Sequence, residues 1–280
     1  MKKVFLLMSA VVMAMCLNAA DEIIQVDGIY YQVNVENQTA ILLQDQSDAK
    51  VYDLEEIVVP VSVEKDGIKC DVVALGKAAF RFCTAKSITF EAGSKVAEIG
   101  MQAFQRAHNI KELVLPDGIK LMPLTGIHTD QQQDVEPFAL EKLVLPASLD
   151  SLAMMSVVAP NLKVLEFVGT VPPRCCHKYI AATDYYQVPW EINATHANFT
   201  SKECLVIVPD ETLDAYKAAP GIGDYFTNII EKKDVPSAIE NINNTILQSG
   251  IYTATGIYVG EDITVLPKGL YIVNGKKVVR

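Results

Sequence analysis

The chain has 280 residues, 50% of them hydrophobic and 21% charged, with 15 Gly and 13 Pro. So much apolar mass supports a buried core and excludes collagen-like and disordered classes. Lys and Arg total 24 against 34 Asp and Glu, a formal net charge of −10, so nucleic acid and anionic membrane surfaces are poor electrostatic partners.

Residues 1–20 read as a signal peptide: Lys2-Lys3, an apolar run over residues 4–16, then small residues to Ala19-Ala20, with Asp21-Glu22 following. The run is shorter than the roughly 18 apolar residues of a transmembrane helix, and no other stretch approaches that length. Export is therefore expected, with the protein secreted or held at the cell surface. Loss of the segment removes Lys2 and Lys3 and no acid, so the net charge moves from −10 to −12. Lipoprotein processing at Cys16 is disfavoured, because Met15 is bulky where a small residue is wanted. Export permits disulfides. Cys70, Cys83, Cys175, Cys176 and Cys204 remain, an odd number that leaves a free thiol or an intermolecular bridge.

Residues 21–71 are expected to form a β-rich N-terminal cap. Asp27-Gly28 and Asp66-Gly67 are hairpin turn signals beside strand-like runs such as Ile29-Tyr30-Tyr31 and Ile57-Val58-Val59-Pro60.

Residues 72–173 hold a repeat. Ala74-Leu75-Gly76-Lys77-Ala78-Ala79-Phe80 matches Glu98-Ile99-Gly100-Met101-Gln102-Ala103-Phe104 at an offset of 24 residues, within the 20 to 29 of leucine-rich repeats. A short alternating strand follows each: Ser87-Ile88-Thr89-Phe90, then Glu112-Leu113-Val114-Leu115-Pro116. It returns as Lys142-Leu143-Val144-Leu145-Pro146 and Lys163-Val164-Leu165-Glu166-Phe167, where the Ala-Phe element is blurred; Pro137-Phe138-Ala139 is the candidate remnant in the third unit. One such turn cannot bury its apolar face alone, so neighbours must stack into a continuous core. That core is expected to take Leu75, Phe80, Cys83, Ile99, Phe104, Leu113, Leu115, Leu143, Leu145, Leu165 and Phe167. Alternation points Glu112 and Val114 outward, onto the face where such ladders bind.

The unit Gly76-Lys77-Ala78-Ala79-Phe80-Arg81-Phe82-Cys83, followed by strands ending in Leu-Pro, resembles the BspA-type leucine-rich repeat of bacterial surface proteins. The resemblance covers about residues 22–232, with two specific and two degenerate repeats. It implies an α/β repeat protein, rich in β: a leucine-rich-repeat solenoid with a β-hairpin N-terminal cap, a strand-helix C-terminal cap and a small β tail module. It also implies adhesion to extracellular matrix protein, and the lack of a Gly-rich phosphate loop or metal-binding helix motif leaves no cofactor and no metal expected. The Asn-x-Thr triplets at Asn37, Asn193, Asn198 and Asn243 are expected to be unglycosylated in such a protein.

Residues 174–232 comprise an insertion and the C-terminal cap. Leu205-Val206-Ile207-Val208-Pro209 should be a strand, and Asp210 should cap a short helix carrying Leu213, Tyr216 and Lys217 that Pro220-Gly221 ends. Two stretches break the period, residues 122–137 and 174–203. The second holds Tyr179, Tyr185, Tyr186, Trp190 and Phe199. These aromatics either plug the open end of the solenoid, the plainer reading, or stand exposed for a sugar or protein partner. Residues 233–280 read as a linker over 234–250 and a β tail, with Asn274-Gly275 as a hairpin turn. The tail resembles the C-terminal sorting segment of the type IX secretion family through Gly269-Leu270-Tyr271-Ile272-Val273 and Lys276-Lys277-Val278-Val279. A plain β-module is the equal alternative.

Catalysis needs converging polar groups, and His108, His128, His177 and His196 are scattered. Cys176 and His177 are sequence neighbours whose side chains diverge, so no nucleophile-base pair is expected. Cys175 and Cys176 bridge each other, or one of them bridges Cys204, or they stay free; the spacing leaves these open. Asp130, Asp134 and Glu136 lack the turn glycine of a calcium loop and should be a solvated loop. The chain is therefore expected to be a non-enzymatic binding protein for an extracellular protein, with a glycan bound through Tyr179, Tyr185, Tyr186 and Trp190 as the rival.

Overall fold

The computed structural model describes residues 21–129, 138–176, 178–180, 185–191, 199–235, 251–253, 258–260, 270–273 and 276–279. The signal peptide, the acidic residues 130–136, the linker over 236–250, and His177, His196 and the Asn274-Gly275 turn lie outside them. Among the described residues no helix is long and apolar enough to cross a membrane.

The chain opens with a sheet ordered Glu22–Val26, Ile29–Asn34, Thr39–Leu42, Ile68–Leu75, Ser62–Lys65. Its pairings are antiparallel except that Ile68–Leu75 runs parallel to Thr39–Leu42 and to a sixth strand, Glu98–Ile99. Both expected turns form. Asp27 and Gly28 take φ of 49° and 83°, and Asp66 and Gly67 take 53° and 78°, the left-handed pair that matches hairpin twist. Alternation is strict in Ile29–Asn34, with Ile29, Tyr31 and Val33 buried.

Beyond it the chain winds through successive coils with three sides each. The first side carries parallel strands: Glu56–Val59, Ser87–Phe90, Glu112–Val114, Lys142–Leu145, Val164–Phe167, Leu205–Val208 and Asn228–Glu231. Their register aligns one inward position per coil. Ile57 meets Ile88, and Leu113, Leu143, Leu165, Val206 and Ile229 form one continuous column. All seven are buried. The strands fall into two groups, because Ser87–Phe90 and Glu112–Val114 belong to separate sheets.

The second side carries two-residue strands. Leu75 pairs beside Ile99, and Met122, Leu152 and Cys175 align in the next three coils. The third side is mostly turns tied to the next coil by backbone hydrogen bonds. The N–H groups of Phe80, Phe104, Ile127 and Val157 donate to Ala103, Gly126, Ser156 and Pro189. Phe80, Phe104, Ile127, Val157 and Trp190 are therefore equivalent positions, all buried, and the Phe80 and Phe104 rings lie 5.5 Å apart.

This alignment revises the reading of the later repeats. The third-coil counterpart of Ala103-Phe104 is Gly126-Ile127, not Pro137-Phe138-Ala139; Phe138 is buried at the corner leading into the next strand, where Asn161 donates to its carbonyl. The two interruptions are also shorter than their sequence ranges. Residues 122–129 and the segments 174–175 and 188–190 are regular parts of coils.

Gly100 has a steric reason. A Cβ there would stand 2.5 Å from the backbone of Gly76 and Lys77, so glycine lies over glycine where adjacent coils approach most closely. The corner between second and third sides is left-handed in four coils, with φ of 58°, 64°, 55° and 51° at Ala78, Gln102, Thr125 and Met155.

The helical share expected of an α/β repeat is nearly absent. The single described α-helix is Leu213–Ala218, and the coils are strand and turn throughout. Asp210 does not cap it: Thr212 is the N-cap without a side-chain bond, and Asp210 Oδ1 instead accepts the Lys233 N–H at 2.8 Å. The tail strands form an antiparallel sheet ordered Tyr258–Gly260, Ile251–Thr253, Leu270–Val273, Lys276–Val279.

Phe104 sits fully buried between two coils, so Phe104→Ala should lower unfolding stability by about 3–5 kcal/mol, measured by urea denaturation. A loss below about 1 kcal/mol would contradict a stacked core there.

Candidate binding face

The outward side of the first ladder is a mixed surface. Strand alternation exposes Glu112 and Val114, while Leu113 and Leu115 point inward. Ion pairs cross between coils along it: Lys86 to Glu55 at 2.6 Å, Lys142 to Glu112 at 2.9 Å, Lys163 to Glu141 at 2.9 Å and Lys232 to Glu166 at 2.7 Å. Ion pairs at a surface contribute little to stability. Glu55 is held below the ordinary carboxylate range by its bond to Lys86.

The ladder's discontinuity shapes this face. Ser87–Phe90 and Glu112–Val114 lie side by side without ladder pairing, and a concavity of about 960 Å³ on this face is lined by residues of 86–94 and 109–117. Val114 is 51% exposed on its wall, and Val58, one strand further on, is 56% exposed. Lys86 and Lys111 stand at one end, Glu91 and Asp117 at the other. The sequence had singled out Glu112 and Val114 from alternation alone. The groove itself had no sequence signal, since it arises from a missing row of hydrogen bonds.

The aromatic insertion divides. Trp190 is entirely buried, its indole Nε1–H donating to the Gly221 carbonyl at 2.6 Å and its ring edge-on to Phe226 at 4.9 Å. An exposed role for Trp190 in binding is thereby corrected, because the ring occupies the coil position held by Phe80 and Phe104 earlier. Tyr225, whose hydroxyl donates to the Thr200 carbonyl at 2.7 Å, packs on the same cluster. Phe199 remains 41% exposed. Tyr179 pairs across from Tyr186, and Tyr185 from Ile180, in the hairpin Lys178–Ile180 and Tyr185–Gln187; their side chains lie outside the described residues. The structure therefore does not bring Trp190 and Glu112 onto one surface. The 33-residue gap from Val157 to Trp190 hides the tryptophan's equivalence to the earlier phenylalanines.

No family model matches this chain, and no curated protein matches it. Among solved structures it is similar to a leucine-rich repeat protein from Bacteroides ovatus at 20% identity and a TM-score of 0.37, covering 52% of this chain and 40% of that one. A leucine-rich repeat protein from Bacteroides capillosus is 15% identical, with a TM-score of 0.33 and coverage of 52% and 82%. A leucine-rich cell surface protein from Faecalibacterium prausnitzii is 13% identical, with a TM-score of 0.30 and coverage of 74% and 76%.

No group of His, Cys, Asp and Glu suited to a metal occurs among the described residues. The five described cysteines are free thiols, so Cys175 and Cys176 bridge neither each other nor Cys204. Cys70, Cys83 and Cys204 are buried. Burial pushes the Cys83 thiol up to about 11, against a weaker lowering by the Ala85 N–H, and pushes Cys204 up to about 12.

These thiols fix the sign of an alkaline effect. In the unfolded chain they ionise near 9, while in the folded chain they stay protonated to about 11 and 12. Their contribution is full below pH 9 and is lost as pH rises through those values, at up to about 1.4 kcal/mol per pH unit for each thiol. Between pH 9 and 11, Cys83→Ala should lose stability less steeply than the parent by about that slope, measured by urea midpoints. Parallel declines would contradict a buried, protonated Cys83.

Proposed function

We propose that this is an exported leucine-rich-repeat protein of the BspA type that binds an extracellular protein through the outward face of its first ladder. One observation carries the reading: the exposed groove that holds both Glu112 and Val114. A half-exposed valine beside a charged rim is a surface that loses water favourably on contact, and coil repetition extends that surface over several strands. An acidic chain steers toward basic or neutral partners rather than nucleic acid.

In this reading residues 21–71 shield the first coil and residues 174–232 the last, because an open stack would expose its apolar ends. Trp190, Tyr225 and Phe226 serve that end-shielding role. Residues 1–20 direct export, residues 72–173 form the binding repeats, and residues 233–280 form a linker and a tail that acts as a sorting segment or a plain β-module. The chemistry is recognition without catalysis.

The test uses the mature chain on a panel of immobilised extracellular-matrix proteins, read by biolayer interferometry. A partner should be found whose affinity falls at least about tenfold, near 1.4 kcal/mol, in Val114→Arg, with the unfolding midpoint unchanged. Binding that persists in Val114→Arg, or no binding across the panel, would overturn the assignment of this face.

A further inference from the structure

The outward side of the first ladder changes character along its length. Strand register puts Val58 beside Thr89, and alternation puts Val114 in the same outward row, between the buried Leu113 and Leu115. The row continues through Val144, Glu166, Ile207 and Ile230. Val58, Thr89 and Val114 are exposed, whereas Val144 and Ile207 are buried although they point outward. Part of that closure has a visible cause. Lys232, just past the last strand, reaches Glu166 at 2.7 Å two strands away, so its stem crosses the row at Ile207. The open stretch is confined to three coils and spans about 10 Å, at about 4.8 Å between strands.

One methyl-bearing side chain per coil, at about 4.8 Å, is matched by an α-helix lying across the strands, which presents one side chain per turn at about 5.4 Å through positions i, i+4 and i+7. The mismatch over two steps is about 1 Å. An extended strand laid the same way repeats its same-face side chains at about 6.6 Å and drifts by about 3.6 Å. Pro60 and Pro116, half-buried two residues beyond Val58 and Val114, widen the apolar strip. The flank where these strands begin is charged. Glu56 is exposed at the first coil and Lys111 at the third, and neither forms an ion pair among the described residues. Between them Lys86 is paired with Glu55, and Glu112 with Lys142. The flank is thus negative at one end and positive at the other. A helix with acids in its first turn and bases in its last complements it, and the same order suits the helix macrodipole. A second copy fits less well, because it would set a chain of net charge −10 against itself.

We propose that the stripe Val58, Thr89 and Val114 takes an amphipathic helix of a partner protein, lying across the strands with its acidic N-terminal turn at Lys111 and its basic C-terminal turn at Glu56. This rests on the reading that the outward ladder face is the binding face. Aliphatic side chains on one helix face supply the contact, and the two end charges fix its direction.

The probe is the peptide Glu-Glu-Ala-Leu-Ala-Ala-Ala-Ile-Ala-Ala-Leu-Ala-Ala-Lys-Lys-amide with fluorescein at its N-terminus, titrated with the mature chain and read by anisotropy. One control replaces the alanine before isoleucine with proline, which breaks the helix and keeps the aliphatic residues. A second exchanges the glutamates and lysines. The probe should bind, with the proline control at least about tenfold weaker and the charge-exchanged control about threefold weaker. Val58→Arg should weaken the probe about tenfold with the unfolding midpoint unchanged. No binding up to about 1 mM, equal binding of the proline control, or binding unmoved by Val58→Arg would overturn helix docking. A dimer in sedimentation that dissociates in Val58→Arg would give the stripe to a second copy and overturn it as well. If the probe fails while Val114→Arg still abolishes binding to a matrix protein, the face is right and the helix is wrong. If the probe binds as expected and the matrix panel is silent, helix docking stands and the matrix assignment falls.

Discussion

Each coil buries its apolar side chains only against the coil before it and the coil after it, so the molecule holds together through register between neighbours. The pair Ile57 and Ile88 and the column Leu113, Leu143, Leu165, Val206 and Ile229 are one expression of this, and the row Phe80, Phe104, Ile127, Val157 and Trp190 is another. A slip of one residue in any strand would turn its inward residues to solvent and its outward ones into the core. Backbone hydrogen bonds on all three sides fix the register, and buried hydrophobic contact rewards it at roughly 25 cal/mol per Å² removed from water.

Other features follow from that spacing. Glycine at 76 and 100 lets adjacent backbones approach, since a Cβ at Gly100 would overlap the previous coil. Non-glycine residues accept left-handed φ at the corners, an unfavourable conformation that persists because both flanking sides are held by pairing. Asn109 donates to the Thr84 carbonyl at 2.8 Å and Asn161 to the Phe138 carbonyl at 3.1 Å, satisfying corner carbonyls that the ladder leaves over. The same dependence on neighbours explains the groove. Where one row of pairing fails, between the second and third coils, Val114 and its charged neighbours line a concavity.

Much of this was legible in the amino-acid order. Alternation in Glu112-Leu113-Val114-Leu115 gave the inward and outward faces, and the 24-residue match between Gly76 and Gly100 gave the coil. Asp27-Gly28 and Asp66-Gly67 gave two hairpins by turn chemistry. What the order concealed has physical causes. Ile127 and Val157 fill the phenylalanine position with different shapes, so the motif fades while the packing persists. Trp190 is displaced in sequence by the paired strands Lys178–Ile180 and Tyr185–Gln187, which lengthen one coil without altering its rungs. Asp210 had the composition of a helix cap, but its carboxylate is taken by the Lys233 N–H. The missing row of pairing between Ser87–Phe90 and Glu112–Val114 has no signature in residue type.

The stacking of equivalent side chains in adjacent coils is the feature on which fold and binding face both rest. A double-mutant cycle at Phe80 and Phe104, each changed to Leu, measures it most directly through unfolding free energies. Rings 5.5 Å apart should show a coupling of about 0.5–1.5 kcal/mol. Additivity within about 0.3 kcal/mol would mean that the two rings do not share a core, and would contradict the stacked coil.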